Sequence, residues 1–269
     1  MMTDQKIYEN PVINEVYNNA SKKEKFSFNK FILLSILGGA FVAFGCILAI
    51  IVGGGSVGIG AENPGLQKFL FGAVFPVGLI LVVLAGADLF TSDCAVMTIP
   101  VLQKKASFKN LLKVWSVSYF GNFIGSIFIA FFLVYLTGIL ATEPYLESSI
   151  NIAVAKTSNP FWKTFWKGVG ANWLVCLAIW SAYGAKGTSG KVLAIWFPIM
   201  AFVTFGFEHS IANMFFIPNA MLHGADISIG TFLWKNLLPT TLGNILGGAV
   251  FVGMLYGYIF IKKEESPTN

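Results

Sequence analysis

Six long runs without a single charged residue decide what this chain can become. They cover 31–61, 69–87, 114–142, 168–185, 192–207 and 236–261, and roughly 20 apolar residues in a helix cross the hydrocarbon core of a bilayer. The fifth run is short on its own. It continues through Glu208 and His209 to about Leu222, which puts a polar cluster near the midplane. With 55% hydrophobic and 12% charged residues and a mean hydropathy of +0.70 over 269 residues, the chain is too apolar for an ordinary soluble domain. The expectation is an all-α membrane protein with six transmembrane helices.

The net charge of +5 suggests a nucleic-acid partner only until the basic residues are placed. All 18 are lysines, and they lie mostly between the apolar runs, where basic residues set topology. Lys6, Lys22, Lys23, Lys25 and Lys30 precede the first run; Lys104, Lys105, Lys109 and Lys113 follow the second. Lys186 and Lys191 follow the fourth, and Lys262 and Lys263 come last. The alternate loops hold only Lys68, Lys156, Lys163, Lys167 and Lys235. This asymmetry predicts a multi-pass protein of the cell membrane with both termini cytoplasmic and no nucleic-acid partner. No cleavable signal peptide is expected in the polar first 30 residues. Residues 1–30, with Tyr8, Val12, Val16 and Phe26 spaced along them, suit a short amphipathic helix anchored at the cytoplasmic surface. Residues 263–269 are expected to form a cytoplasmic tail, and the segment before the first run is expected to be cytoplasmic as well. Cys46, Cys94 and Cys176 all fall in or beside apolar runs and read as small packing residues. No disulfide, metal or cofactor is expected.

The chain also repeats itself. Tyr119-Phe120-Gly121-Asn122-Phe123-Ile124-Gly125 returns as Thr241-Leu242-Gly243-Asn244-Ile245-Leu246-Gly247, 122 positions on. Gly86 through Asp88 maps onto Gly206 through Glu208 at 120, and Gly38 and Cys46 map loosely onto Gly168 and Cys176 at 130. Three spans followed by three similar spans must run in opposite senses, because three crossings is an odd number. That is an inverted 3+3 repeat within a channel domain at 31–262, repeat one about 31–138 and repeat two about 160–262, with a substrate site where the halves meet. Asn122 and Asn244 read as interhelical hydrogen-bond donors beside close-packed glycines.

Two stretches break the apolar runs in matching places, Gly86-Ala87-Asp88-Leu89-Phe90-Thr91-Ser92-Asp93 and Gly206-Phe207-Glu208-His209-Ser210-Ile211-Ala212-Asn213. Ionisable groups inside a span are costly and mark paths for ions or protons. Irregular backbone is tolerated there only where protein or a watery cavity covers it. Asp88 and Glu208 are expected to cap the exposed N–H groups of broken helices. Thr91 offers a hydroxyl to a passing anion, and His209 is the strongest functional candidate. Phe75 and Phe202, with Leu79, Leu89, Phe90 and Val175, lie within a few turns of the breaks and are candidates for hydrophobic constrictions.

Other readings are weaker. Gly187-Thr188-Ser189-Gly190 matches the GxSG of intramembrane serine proteases, but Ser189 stands in a lysine-flanked loop with no histidine after it in the last span. The same loop misses a Walker A pattern. A neutral-solute pore of the aquaporin type would need paired Asn-Pro-Ala motifs, whereas Asn63-Pro64-Gly65 and Asn159-Pro160-Phe161 lie outside the spans.

The stretches Gly86–Thr91, Asn172-Trp173-Leu174-Val175-Cys176-Leu177-Ala178 and Gly206–Asn213 resemble the signatures of the formate/nitrite transporters, and the similarity runs over essentially the whole span region. The resemblance implies a homopentamer of aquaporin-like six-helix protomers, each with its own pore and with helices two and five broken. It implies an Ω-shaped loop around Thr91 and a His209 midway between two slits, an outer one of Phe75 and Phe202 and an inner one of Leu79, Leu89 and Phe90 with Val175 nearby. A vestibule lysine matches Lys156, and a pore-lining amide matches Asn172. Asp93 departs from the pattern, since many members have an uncharged residue there. The implied substrates are formate and nitrite, with hydrosulfide as an alternative, each travelling with a proton.

Overall fold

The computed structural model describes residues 10–260, which carry helices and no strand. α1 (Pro11–Lys25) is started by Asn10, whose side chain accepts from the Val12 N–H at 2.9 Å, with Pro11 at the first helical position. α2 (Phe28–Gly54) starts at a Ser27 cap, and a short α3 (Val57–Glu62) follows in the glycine-rich connector. α4 (Pro64–Ala85) leads to the first break. The remaining helices are α5 (Phe90–Leu102), α6 (Phe108–Tyr135), α7 (Tyr145–Thr157), α8 (Phe161–Gly184), α9 (Gly187–Thr204), α10 (Ser210–Leu222) and α11 (Ile229–Phe260).

Five of these, α2, α4, α6, α9 and α11, are long and apolar enough to cross a membrane. The fourth expected span, 168–185, lies in α8, which has 24 residues but carries Lys163 and Lys167 in its first turns. α5 and α10 follow the two breaks. At 1.5 Å per residue they reach only about 20 Å, too short to cross alone.

Glycines set the two tightest helix pairs. A Cβ on Gly39 of α2 would fall on the backbone of Asn122 in α6, and one on Gly243 of α11 would fall on the Phe165 carbonyl of α8. Such close approach suits membrane helices, where packing rather than water drives association. Large apolar side chains such as Phe120, Trp162, Trp166, Trp234 and Tyr258 point outward. The polar residues are inside instead: Asp88, Asp93, Glu208, His209, Asn122, Asn172, Asn213 and Asn244 are all buried. This inversion of the soluble pattern is what a lipid-facing surface demands.

α1 differs from its expected place on the membrane surface. Val12, Ile13, Val16 and Ala20 are buried, and the helix packs on α5, α6 and α8 of its own bundle. The protein offers this apolar face a dry partner, so the face is not available to lipid.

Candidate functional site

The two breaks are built by the same hydrogen bonds. In the first, α4 ends at Gly86, whose φ of +80° is a left-handed helix stop, and the Leu89 backbone is extended before α5 begins. In the second, α9 ends on Gly206 with φ +69°, and His209 is the extended residue before α10. His209 thus stands where Leu89 stands in the first break. The exposed N–H groups are capped by asparagines, and in the second break by His209 as well, not by the carboxylates the sequence suggested. Asn122 Oδ1 accepts from the Phe90 N–H at 2.9 Å, and its Nδ2 donates to the carbonyls of Ser35 at 2.6 Å and Asp88 at 2.9 Å. Asn244 repeats this with the Ser210 N–H at 2.8 Å and the carbonyls of Gly168 at 2.8 Å and Glu208 at 2.9 Å. The Asp88 N–H donates to the Leu34 carbonyl as the Glu208 N–H does to that of Lys167. These partners in α2 and α8 stand 133 positions apart, three more than the glycine and cysteine pattern suggested.

Freed from capping, the two acids hold lysines. Glu208 Oε2 takes Lys156 Nζ at 3.1 Å, Asn213 Nδ2 at 2.7 Å and Asn236 Nδ2 at 3.3 Å. Lys156 comes from α7 and Asn236 from a widened turn of α11. Asp88 Oδ2 takes Lys23 Nζ at 2.6 Å, and Asp93 Oδ1 shares the same ammonium. Burial alone would lower the pKa of Lys23, which comes from α1, but the charges of Asp88 and Asp93 outweigh it and hold it above the usual lysine range. Sequence reasoning counted Lys23 only as a topology marker and missed Asn236. No local signal pairs Lys23 with acids 65 and 70 positions on, or Asn236 with one 28 positions back, because the contact exists only in the fold.

Between the breaks, His209 Nε2 lies 3.0 Å from Thr91 Oγ1, both buried. The Ala212 N–H donates to His209 Nδ1 at 3.1 Å. With Nδ1 engaged as an acceptor, the ring proton of the neutral imidazole sits on Nε2, facing Thr91. Asn172 donates from Nδ2 to the carbonyls of Thr91 at 3.0 Å and Asn244 at 2.6 Å. Both its N–H groups are engaged, so this amide braces the backbone under Thr91.

Phe75 and Phe202 meet edge to face with ring centroids 5.9 Å apart, and Phe202 lies 5.8 Å from the His209 ring. Both phenylalanines and His209 line a cavity of about 420 Å³ together with Lys156, Glu208, Lys68 and Lys167. The last two lysines were not foreseen there. Leu79, Leu89, Phe90 and Val175 are all buried. The Phe90 ring packs against Tyr119 at 4.8 Å and Trp115 at 6.3 Å and borders an apolar groove between α6 and α11. Ser189 is exposed in the first turn of α9, while the two histidines engage Thr91 and the Asn219 carbonyl.

Membrane-length helices interrupted where buried charges gather define an integral membrane protein of the channel and transporter class. The family model described as formate/nitrite transporter matches residues 10–258. A probable formate transporter of Methanothermobacter thermautotrophicus is 45% identical over 258 residues, covering 91% of this chain and 93% of that protein. Two solved structures superimpose closely. An FNT family ion channel gives a TM-score of 0.84 at 34% identity, covering 92% of this chain and 98% of its own. A pentameric formate channel with formate bound gives 0.76 at 35%, covering 87% and 98%. The chain belongs to the formate/nitrite transporter family.

Proposed function

We propose that this protein is a channel for small monovalent weak-acid anions, formate first and nitrite close behind, which cross together with a proton. The observation that carries this reading is the His209–Thr91 contact of 3.0 Å, set directly behind the Phe75–Phe202 ring pair and a cavity lined by three lysines. The lysines raise the local anion concentration. The ring pair then strips water from the ion. A bare anion faces an idealised Born cost of order 20 kcal/mol in a dry slit, and desolvation favours the neutral acid instead. Because His209 Nδ1 already accepts from Ala212, the imidazole serves as an Nε2–H donor that orients Thr91 and the passing acid. The proton is relayed from vestibule water. Neutral passage also escapes the membrane potential, about 2.3 kcal/mol per charge per 100 mV.

In this reading Phe75 and Phe202 form the outer constriction, and Leu79, Leu89 and Phe90 with Val175 form the inner one. Lys156 marks the outer mouth. Six spans arranged as an inverted 3+3 repeat, with α8 as the fourth, would place both termini in the cytoplasm, and five copies would assemble in the cell membrane. The pentamer is supported by the formate-bound structural relative, whose assembly is pentameric. Hydrosulfide obeys the same weak-acid physics and is the second candidate substrate. The test is flux into proteoliposomes of formate, nitrite and hydrosulfide across a pH series. Flux of all three should rise with acidity and collapse in His209→Phe. Equal flux of a halide at every pH would refute it.

A further inference from the structure

We propose that Asp88 and Asp93 form a proton-binding site that holds one proton between their carboxyl groups beneath Lys23. The two breaks supply the comparison. Asp88 matches Glu208, and five residues on, Asp93 matches Asn213. In the second half one lysine meets one carboxylate, and the Asn213 amide donates a hydrogen bond to it at 2.7 Å. In the first half one ammonium meets two carboxyl groups, Asp93 being fully buried and Asp88 4% exposed. The remaining oxygens, Asp88 Oδ1 and Asp93 Oδ2, are buried and accept no hydrogen bond among the described residues. A single added proton resolves all of this. A protonated Asp93 is neutral and carries a donor, as Asn213 does, and the site then has the same net charge as Lys156 with Glu208.

Among the described residues, the groups around the pair offer no other remedy. On α1, Lys23 is the cation that ion-pairs with either acid among the described residues, and Glu15 adds negative charge at Tyr183. On α8, Tyr183 and Cys176 face the pair, and Cys94 lies beside it on α5. From α6, the Trp115 Nε1–H donates to the Asp93 backbone carbonyl at 3.0 Å and leaves the carboxyl group untouched. The site is also separate from the lysine cavity. Lys23, Asp88 and Asp93 are not among the residues that line it. Two carboxyl groups that share a site titrate as a unit, so the charge at this end of the molecule follows acidity while Glu208 stays matched to Lys156. The consequence for flux rests on the anion-channel reading; the proton site itself does not.

The test is pH-difference infrared spectroscopy of the full chain in lipid. Acidification should produce a protonated-carboxyl C=O band that shifts in deuterated water, is lost in both Asp93→Asn and Asp88→Asn, and survives in Glu208→Gln. A wild-type protein without the band, or an Asp93→Asn variant that keeps it, overturns the proposal. If Asp93→Asn does not fold, Asn213→Asp provides the converse. It should add a second band of the same kind, and a folded Asn213→Asp protein with no added band also overturns the proposal. Flux in the same lipid separates the two readings. In wild type the pH response should be steeper than in Asp93→Asn. Vesicles that pass no weak acid while the band is present and sensitive to Asp93→Asn would end the channel reading and leave the proton site standing.

Discussion

Replacing Asn244 by alanine tests whether the breaks are held by the fold or merely tolerated by it. The amide makes three side-chain bonds, to the Ser210 N–H and to the carbonyls of Gly168 and Glu208. Gly168 lies inside α8, and its carbonyl keeps the in-helix donor. The Ser210 N–H opens α10 and the Glu208 carbonyl lies in the break, so these two groups are left without a partner. At about 1–3 kcal/mol for each buried orphan, Asn244→Ala should lose about 2–6 kcal/mol, a large part of a typical folding stability of about 5–15 kcal/mol. Asn122→Ala should lose a similar amount, because it strands the Phe90 N–H and the Asp88 carbonyl in the same way. Denaturant unfolding of the purified protein in mixed micelles reads both. An Asn244→Ala protein within about 0.5 kcal/mol of wild type, the range of an ordinary surface change, would show that the hydrogen bonds do not hold the second break.

Lys156→Met should raise the formate concentration needed for half-maximal uptake by about tenfold or more, as measured in proteoliposomes; an unchanged value would remove Lys156 from anion capture. Phe202→Leu opens the 5.9 Å ring contact with Phe75 and should raise halide leak relative to formate flux, read with a halide-sensitive dye. Gly39→Ala drives a Cβ into the Asn122 backbone and should cost about 1–3 kcal/mol or more in the same unfolding assay. Lys23→Met strands two buried carboxyl groups at about 3–5 kcal/mol and should speed tryptic cleavage within α1. In wild type the pKa of Lys23 is raised by Asp88 and Asp93 against the opposing effect of burial. Its stabilisation is therefore full below the ordinary lysine value and lost only as pH climbs through the folded one, so cleavage of α1 should not rise on mildly alkaline titration.

The apolar runs were legible because lipid leaves a helix few alternatives, and the breaks were legible because buried charge is rare enough to be read one residue at a time. Asn122 and Asn244 were found through the repeat, although their acceptors were not. An amide that binds main-chain carbonyls has no partner residue type to search for. The same blindness explains why Asp88 and Glu208 were read as caps. Residue type and position fit a cap, and only the fold shows that an asparagine from another helix already occupies the role. Lys23 and Asn236 were hidden because each meets its acid through tertiary packing alone, and α8 fell short of a plain span because its charged first turns face the lysine cavity through Lys167. Asn172 was placed in the right neighbourhood, but its bonds run to backbone rather than toward a solute.

Both elbows are clamped through main-chain atoms, with Leu89 and His209 in the same extended position just before a short helix. The Leu89 side chain has no polar atom with which to hold its bend, whereas His209 Nδ1 accepts from the Ala212 N–H, so the scaffold leaves the first of these seats open to exchange. A protein designer could retune the chemistry of the passage by swapping what sits there, for instance by seating a second imidazole at 89, without rebuilding the architecture around it.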